Sequence, residues 1–322
     1  MADPMVLDVG NRHSDYWAYA TGGSFPSLHS SDLVRWEDNG GAMPVRPDWT
    51  PASGEYNPWA PSVLELPSAC PGASSGPCFV MYHVGLNTTL DPDTNCIGVA
   101  TSPSPAGPFT EQGILDDAAN TRDQSDRPIG CGDDAGYSNI DPAPIVAGAS
   151  TYLYLSTGHR CAAPNPHGSC PFDRAISVIP LSADRLSAAG PRTELFKNDP
   201  SPSWERAVVE NPWPVQRGSG SHLLYSGGVF TGQYGMGDST GPSPTGPFTK
   251  YAGNPVLIDG NGVVSAGGGS LVTGPHGGDW VAYHGRPGPS PAPRLLRLDP
   301  LSFEQDGSVK IDGPSTSPRP VP

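Results

Sequence analysis

Short runs of aromatic and β-branched residues recur along the 322-residue chain, punctuated by clusters of Gly and Pro. Runs bounded in this way by turn formers are the pattern of β-strands. No long stretch carries apolar residues at the 3.6-residue spacing of a helix, so helix content is expected to be low. Thr101-Ser-Pro-Ser-Pro-Ala-Gly-Pro-Phe109 recurs as Thr240-Gly-Pro-Ser-Pro-Thr-Gly-Pro-Phe248, an offset of 139 residues. Half of that offset is about 70, close to a fifth of the chain, and five units fit the spacing. Their opening strands, each containing Pro or Gly, are 3–7, 59–64, 141–146, 210–215 and 265–272. Their second strands are 16–21, 78–83, 152–156, 222–226 and 279–284, and their third strands 27–36, 97–101, 175–179, 234–238 and 294–298. Repeated units of about four strands predict an all-β fold, a five-bladed β-propeller with four-stranded antiparallel blades around a central axis. One domain over residues 1–322 is expected, with about 314–322 as a tail.

Three of the opening strands carry an acid at their head: Asp3 in Ala-Asp-Pro-Met-Val-Leu, Asp141 in Ile-Asp-Pro-Ala-Pro-Ile-Val, and Glu210 in Val-Val-Glu-Asn-Pro-Trp-Pro-Val. The prolines bias the residues before them away from helix and toward extended backbone. A lone acid beside Pro is usually a turn or strand-end residue. Matching strand positions of a propeller converge on its axis, however, so these three acids are expected to share one pocket.

Composition narrows the class. Gly 41 and Pro 40 make up about a quarter of the chain, but as punctuation between strands they do not signal disorder. The net charge of -14 argues against nucleic acid, which demands a basic footprint. No apolar run approaches the length of a membrane span. Six cysteines at 70, 78, 96, 131, 161 and 170 form no Cys-x-x-Cys pair, which argues against structural zinc. Cys70/Cys78 and Cys161/Cys170 bracket loops, leaving Cys96/Cys131, and an even count around loops reads as disulfides in an oxidising compartment. The chain starts without a charged-then-apolar leader, so a secreted, monomeric protein is expected whose signal peptide is not part of this sequence.

Taken in order, Asp-Pro at the start, Trp59-Ala-Pro, Ile140-Asp-Pro, Glu210-Asn-Pro, the two Ser-Pro-x-Gly-Pro-Phe segments, Tyr283-His-Gly and Arg294-Leu-Leu-Arg-Leu-Asp-Pro-Leu301 resemble glycoside hydrolase family 43 over the whole chain. The resemblance implies a five-bladed propeller that hydrolyses arabinose- and xylose-containing polysaccharides with inversion, acting on plant cell-wall substrate. It implies Asp3 as general base, Asp141 as the carboxylate that tunes and orients the acid, and Glu210 as general acid. The substrate expected first is the α-L-arabinofuranosyl end groups of arabinan or arabinoxylan branches. β-Xylosidase, endo-arabinanase and galactofuranosidase stand as alternatives, and a non-catalytic carbohydrate-binding propeller as the rival outside enzymes. Exo action is favoured by the disulfide-framed loops. No cofactor is required. The family's central calcium or sodium ion leans on a His in the fifth opening strand, which here reads Ser265-Ala-Gly-Gly-Gly-Ser270 and offers none.

Inversion needs an ionised carboxylate to activate water and a protonated carboxyl to serve the leaving oxygen, roughly 6.5–9.5 Å apart. Asp141 is expected to supply the anion that raises Glu210, Trp213 to dry one side of it, and Asp3, on a free N-terminal arm, to sit in a wetter place. Trp59, Trp213 and Phe230 are candidate sugar platforms, with blade core as the alternative for each. Arg294, or its neighbour Arg297, would brace the acid or a sugar oxygen, and His284 would stand behind the site. Two Gly-x-Ser-x-Gly matches, 72–76 and 237–241, are followed by Pro rather than a helix and read as turns. His159, Cys161, His167 and Cys170 are set aside as a zinc site in favour of the disulfide.

Overall fold

The computed structural model describes residues 1–90, 94–117, 127–132, 137–159, 174–199, 203–206, 208–218 and 220–317. Blade 1 comprises β1 (Ala2–Asp8), β2 (Tyr16–Thr21), β3 (Pro26–Ser30) and β4 (Glu37–Gly41). Blade 2 comprises β5 (Trp59–Leu66), β6 (Cys78–Asn87), β7 (Thr94–Ser102) and β8 (Thr110–Ile114). Blade 3 comprises β9 (Tyr137–Ala147), β10 (Ser150–His159), β11 (Arg174–Leu181) and β12 (Thr193–Lys197). Blade 4 comprises β13 (Val209–Arg217), β14 (Gly220–Gly228), β15 (Tyr234–Gly241) and β16 (Thr249–Lys250), with β17 (Leu257–Ile258) added on β15. Blade 5 comprises β18 (Val264–Thr273), β19 (Asp279–Arg286), β20 (Leu295–Phe303) and β21 (Val309–Ile311). Each blade is an antiparallel meander cut from one stretch of chain. The inner strands touch in a closed ring, β1 on β5, β5 on β9, β9 on β13, β13 on β18 and β18 on β1. This is the five-bladed propeller expected. The only helical turn among the described residues is the 3-10 turn Val9–Asn11.

The core lies between the blades. Met5, Tyr19 and Phe25 of blade 1 pack on Val63, Phe79 and Met81 of blade 2. Val80, Val84 and Ile97 meet Leu153, Leu155 and Ile179 of blade 3, and equivalent layers join blades 3 to 4, 4 to 5, and 5 to 1. Both faces of a blade are thus covered, which is why the second strands read as near-continuous apolar runs. Buried tyrosines of these strands reach into the next blade: Tyr19 Oη donates to Pro105 O at 2.6 Å, Tyr82 Oη to Arg185 O at 2.6 Å, and Tyr154 Oη to Pro244 O. Pro105 and Pro244 sit in the two copies of the repeated segment, one in blade 2 and one in blade 4.

Cys70–Cys78 and Cys96–Cys131 are disulfide-bonded. The Cys161/Cys170 pair, with His167, lies outside the described residues. The tail begins tied down, with Asn261 Nδ2 donating to Pro314 O at 2.9 Å and the Ser315 amide to Asp299 Oδ2 at 3.0 Å. One reading is corrected: 237–241 is no turn but the end of β15, where Ser239 is buried and its hydroxyl donates to Leu223 O at 3.2 Å. Pro242 stops the strand only after Gly241.

Candidate active site

A bulge at the same place in every inner strand builds the site. Pairing runs Ala2↔Thr21 then Met5↔Tyr19, Trp59↔Val84 then Ser62↔Tyr82, Ile140↔Ser156 then Ala143↔Tyr154, Glu210↔Ser226 then Trp213↔Leu224, and Gly267↔His284 then Ser270↔Ala282. Each time two residues oppose one. The first of the two has a left-handed backbone: Asp3 (φ 48), Ala60 (φ 39), Asp141 (φ 56), Asn211 (φ 53) and Gly268 (φ 60). The second is Pro in four blades, tolerated because a bulged residue has no ladder hydrogen bond to lose. Bulges re-aim side chains, and here they turn residues toward the axis.

In four of the blades the freed amide of the bulge bonds to the preceding blade. Ala60 N–H donates to Thr21 Oγ1 at 2.8 Å, Asn211 N–H to Ser156 Oγ at 3.0 Å, Gly268 N–H to Ser226 Oγ at 2.8 Å, and Asp3 N–H to His284 Nδ1 at 3.2 Å. Thr21, Ser156, Ser226 and His284 hold one equivalent position at the ends of their second strands. Lining up the repeats by their second strands exposes this set in the sequence, where only His284 of the four was singled out.

This register corrects the expected equivalence of the three acids. Asp3 and Asp141 share the bulge position, whereas Glu210 stands one residue earlier, where blade 2 has Trp59. A longer side chain on the neighbouring residue brings the third carboxyl within electrostatic reach of the other two. Asp3 and Asp141 line an axial cavity of about 20 Å³, together with Ser62, Asn211 and Trp213. Glu210 is close enough for its charge to act on Asp141.

Asp3 is held as a carboxylate. Thr21 donates to Oδ2 at 2.7 Å, and Arg294 Nη1 donates to Oδ1 at 2.9 Å and to Oδ2 at 3.2 Å. Burial pushes the group up, but His284, 3.3 Å from Oδ1, together with Arg294 and Thr21, outweighs it and holds Asp3 at about 2. Against the expectation of a wet N-terminal arm, the Asp3 side chain is only 16% exposed, and Met1 is pinned by its ammonium to Arg294 O at 2.9 Å. Cationic and hydroxyl partners, not water, keep it ionised.

Asp141 and Glu210 behave in the opposite way. Burial raises Asp141, the Glu210 and Asp3 charges raise it further, and the Asn211 amide and Ser156 hydroxyl on Oδ2 only partly offset this. Burial also raises Glu210, against the pull of Arg174 and of the Tyr234 hydroxyl at 2.8 Å from Oε1. Two buried carboxyls so placed titrate as a pair and retain a proton between them. Asp141 is therefore more than the fixed anion expected, because its own desolvation makes it compete for that proton.

Among the other expected site residues, Phe230 is 42% exposed on the rim with the Arg294 guanidinium 5.1 Å from its ring centre. His284 is fully buried against Tyr234. Trp59 is half-buried on the core between blades 2 and 3. Trp213 contacts three of the inter-blade clusters and lines the cavity below the acids. Arg297, the alternative to Arg294, instead donates to Ser315 O at 3.2 Å. Tyr234, Thr21, Ser156 and Arg174 were not singled out in the sequence.

Gly267, Gly268 and Gly269 offer a central cation no side-chain ligand. A Cβ on Gly267 would lie 2.5 Å from Tyr234 Cε1, on Gly268 2.5 Å from His284 Cε1, and on Gly269 2.5 Å from Ala282 O. The fifth opening strand thus has no room for a ligating side chain. Among the described residues no three His, Cys, Asp or Glu side chains are grouped to hold a metal ion.

A propeller that sets an ionised carboxylate within electrostatic reach of a proton-retaining carboxyl pair has the equipment of a glycoside hydrolase. The glycosyl hydrolases family 43 model matches residues 1–309, and the chain belongs to that family of glycosidic-bond hydrolases. It is 26% identical over 313 residues to β-D-galactofuranosidase xynD of Aspergillus niger, covering 92% of this chain and 78% of that protein. It is 24% identical over 303 residues to a probable arabinan endo-1,5-α-L-arabinosidase A of Aspergillus flavus, covering 88% and 81%. The crystal structure of a thermostable family-43 glycoside hydrolase matches with a TM-score of 0.78 at 26% identity, over 100% of this chain and 95% of that one. A Cellvibrio cellulosa α-L-arabinanase complexed with arabinohexaose shares the fold at a TM-score of 0.70 and 18% identity, over 97% and 95%.

Proposed function

We propose that the protein is an inverting, exo-acting α-L-arabinofuranosidase on arabinan or arabinoxylan side chains, with Asp3 as general base and Glu210 as general acid. The observation that carries this reading is the division of protonation states. Arg294 and Thr21 stabilise Asp3 as an anion, while burial and mutual repulsion keep a proton on the Asp141/Glu210 pair. Water attacks C1 and passes its proton to Asp3 as the C1–O bond breaks, and Glu210 gives its proton to the departing oxygen. A base held near 2 is a weak one, but an oxocarbenium-like transition state has little bond to the incoming water and asks little of it. Asp141, raised by burial and by the Glu210 charge, shares the retained proton with Glu210, and Phe230 with Arg294 offers a rim contact for a sugar ring.

Furanose specificity is supported by the names of the two fungal relatives, one a galactofuranosidase and one an arabinosidase. β-D-Galactofuranosides are the second reading, on the strength of the relative that matches 92% of the chain. The two disulfides fit a secreted enzyme. A panel of aryl α-L-arabinofuranosides, β-D-galactofuranosides and β-D-xylosides, with debranched arabinan, tests the substrate, and NMR of the first-formed anomer tests inversion. Asp3→Asn should lower turnover roughly 10²–10⁴-fold on every substrate, and Glu210→Gln by a similar factor where the leaving group is poor. Near-wild-type turnover in both variants sinks the assignment.

A further inference from the structure

Tyr234 opens β15 and is 2% exposed, so its hydroxyl is desolvated and needs a partner. That partner is Glu210, whose Oε1 accepts the Tyr234 O–H at 2.8 Å. The phenol ring lies on the His284 imidazole, with ring centres 5.7 Å apart and planes 11° from parallel. The same imidazole accepts the Asp3 amide at Nδ1. Gly267 and Gly268 of β18 make the room, since a Cβ on either would collide with one of the two rings. A continuous wall thus runs from Glu210 through Tyr234 and His284 to Asp3, across blades 4, 5 and 1.

We propose that Tyr234 is the positioning residue of the general acid: its hydroxyl occupies Oε1, leaves the transferable proton on Oε2, and through His284 fixes the acid relative to Asp3. This rests on the reading of Glu210 as acid and Asp3 as base. In the reaction the Oε2–H bond breaks and the proton goes to the glycosidic oxygen, which takes the electron pair of its bond to C1. Water bonds to C1 and releases its proton to Asp3. The Glu210 carboxylate that remains is held by the Tyr234 hydrogen bond, which strengthens as the acceptor becomes charged. The other charged or titratable groups facing Glu210 are Asp141 from β9, Asp3 from β1, Arg174 from β11 and Arg294 before β20.

Tyr234→Phe keeps the ring and its stacking and removes only the donor. Loss of a donor to the ionised form raises the acid's pKa, so the basic limb of kcat/KM should move up by roughly one pH unit. Turnover of a methyl furanoside should fall roughly tenfold, and that of the 4-nitrophenyl furanoside much less. A purely structural tyrosine would lower both substrates equally and leave the limb in place, and that result overturns the proposal. Glu210→Gln separates the two layers: if it spares the methyl furanoside, the reading of Glu210 as acid fails. If it abolishes that turnover while Tyr234→Phe shifts nothing, only the role of Tyr234 fails. Should Tyr234→Phe not fold, 3-fluorotyrosine at 234 keeps the shape, donates more strongly and should move the limb down; an unmoved limb again overturns the proposal.

Discussion

At Asp141 the needs of the fold and of the chemistry separate. Its φ of 56° is one that Asn tolerates as well as Asp, and an Asn side-chain oxygen still accepts the Asn211 amide. Burial and the Glu210 and Asp3 charges raise its pKa. The folded state therefore binds the proton more tightly than the unfolded chain, and stability falls as pH rises from about 4 through the raised value. Asp141→Asn should remove that loss, stabilising the protein above neutral pH by on the order of 1–2 kcal/mol while activity drops roughly 10²-fold. Thermal melts from pH 4 to 9 check this, and a wild-type slope in the variant contradicts it. Asp3 has the opposite sign: held at about 2, it contributes stability that is complete above about 4 and is lost as pH falls through 2.

At the scale of the element, the bulged inner strand is what converts a repeat into a site. Gly268 sits at its positive-φ position, with His284 Cε1 at 2.5 Å and Asp3 Oδ1 at 3.1 Å from where a Cβ would be. Gly268→Ala should cost about 1–3 kcal/mol and lower kcat by an order of magnitude or more, because the displaced imidazole carries Asp3 with it. Gly148→Ala is the control: its φ is also positive, at 63°, but nothing lies within 4 Å, so it should cost about 1 kcal/mol and leave kcat unchanged. Urea melts and steady-state kinetics on both read the difference. The sequence showed the inner and second strands of all five blades, and Pro or Gly marked every bulge. It did not show the fourth strands. Glu37–Gly41 is exposed at every position and Thr193–Lys197 at three of five, so neither carries an apolar pattern. Nor did it show that Glu210 stands one residue before the bulge, because the register depends on the partner strand.

For the whole molecule the decisive place is the seam between blades 5 and 1. No strand is shared across it; each blade is a separate stretch of chain. The ring closes through side chains and termini. Val6 N–H donates to Ser270 Oγ at 3.1 Å, Tyr16 Oη to Thr273 O at 3.0 Å, and Val6, Tyr16 and Ala18 pack on Val272, Trp280 and Ala282. The proposed base sits in this seam, so closure of the ring and protonation of the site are physically linked. Away from it, Cys96–Cys131 closes a loop with a sequence separation of 35. The paired Cys96→Ser/Cys131→Ser variant should lose roughly 3–4 kcal/mol by urea unfolding through the freed entropy of the unfolded chain; an unchanged midpoint argues against a structural role.

What the sequence determined by itself is whatever is written in local pattern: the five-fold repeat, the apolar second strands, the Pro-marked inner strands and the identity of the three acids, since each depends on neighbours a few residues away. What only the tertiary structure decided is which acid is ionised and which keeps a proton. Arg294 reaches Asp3 from 291 positions along the chain, and Asp141 and Glu210 repel each other only because the ring brings them together. Charge acts through space, and until the blades close there is no distance over which it can act.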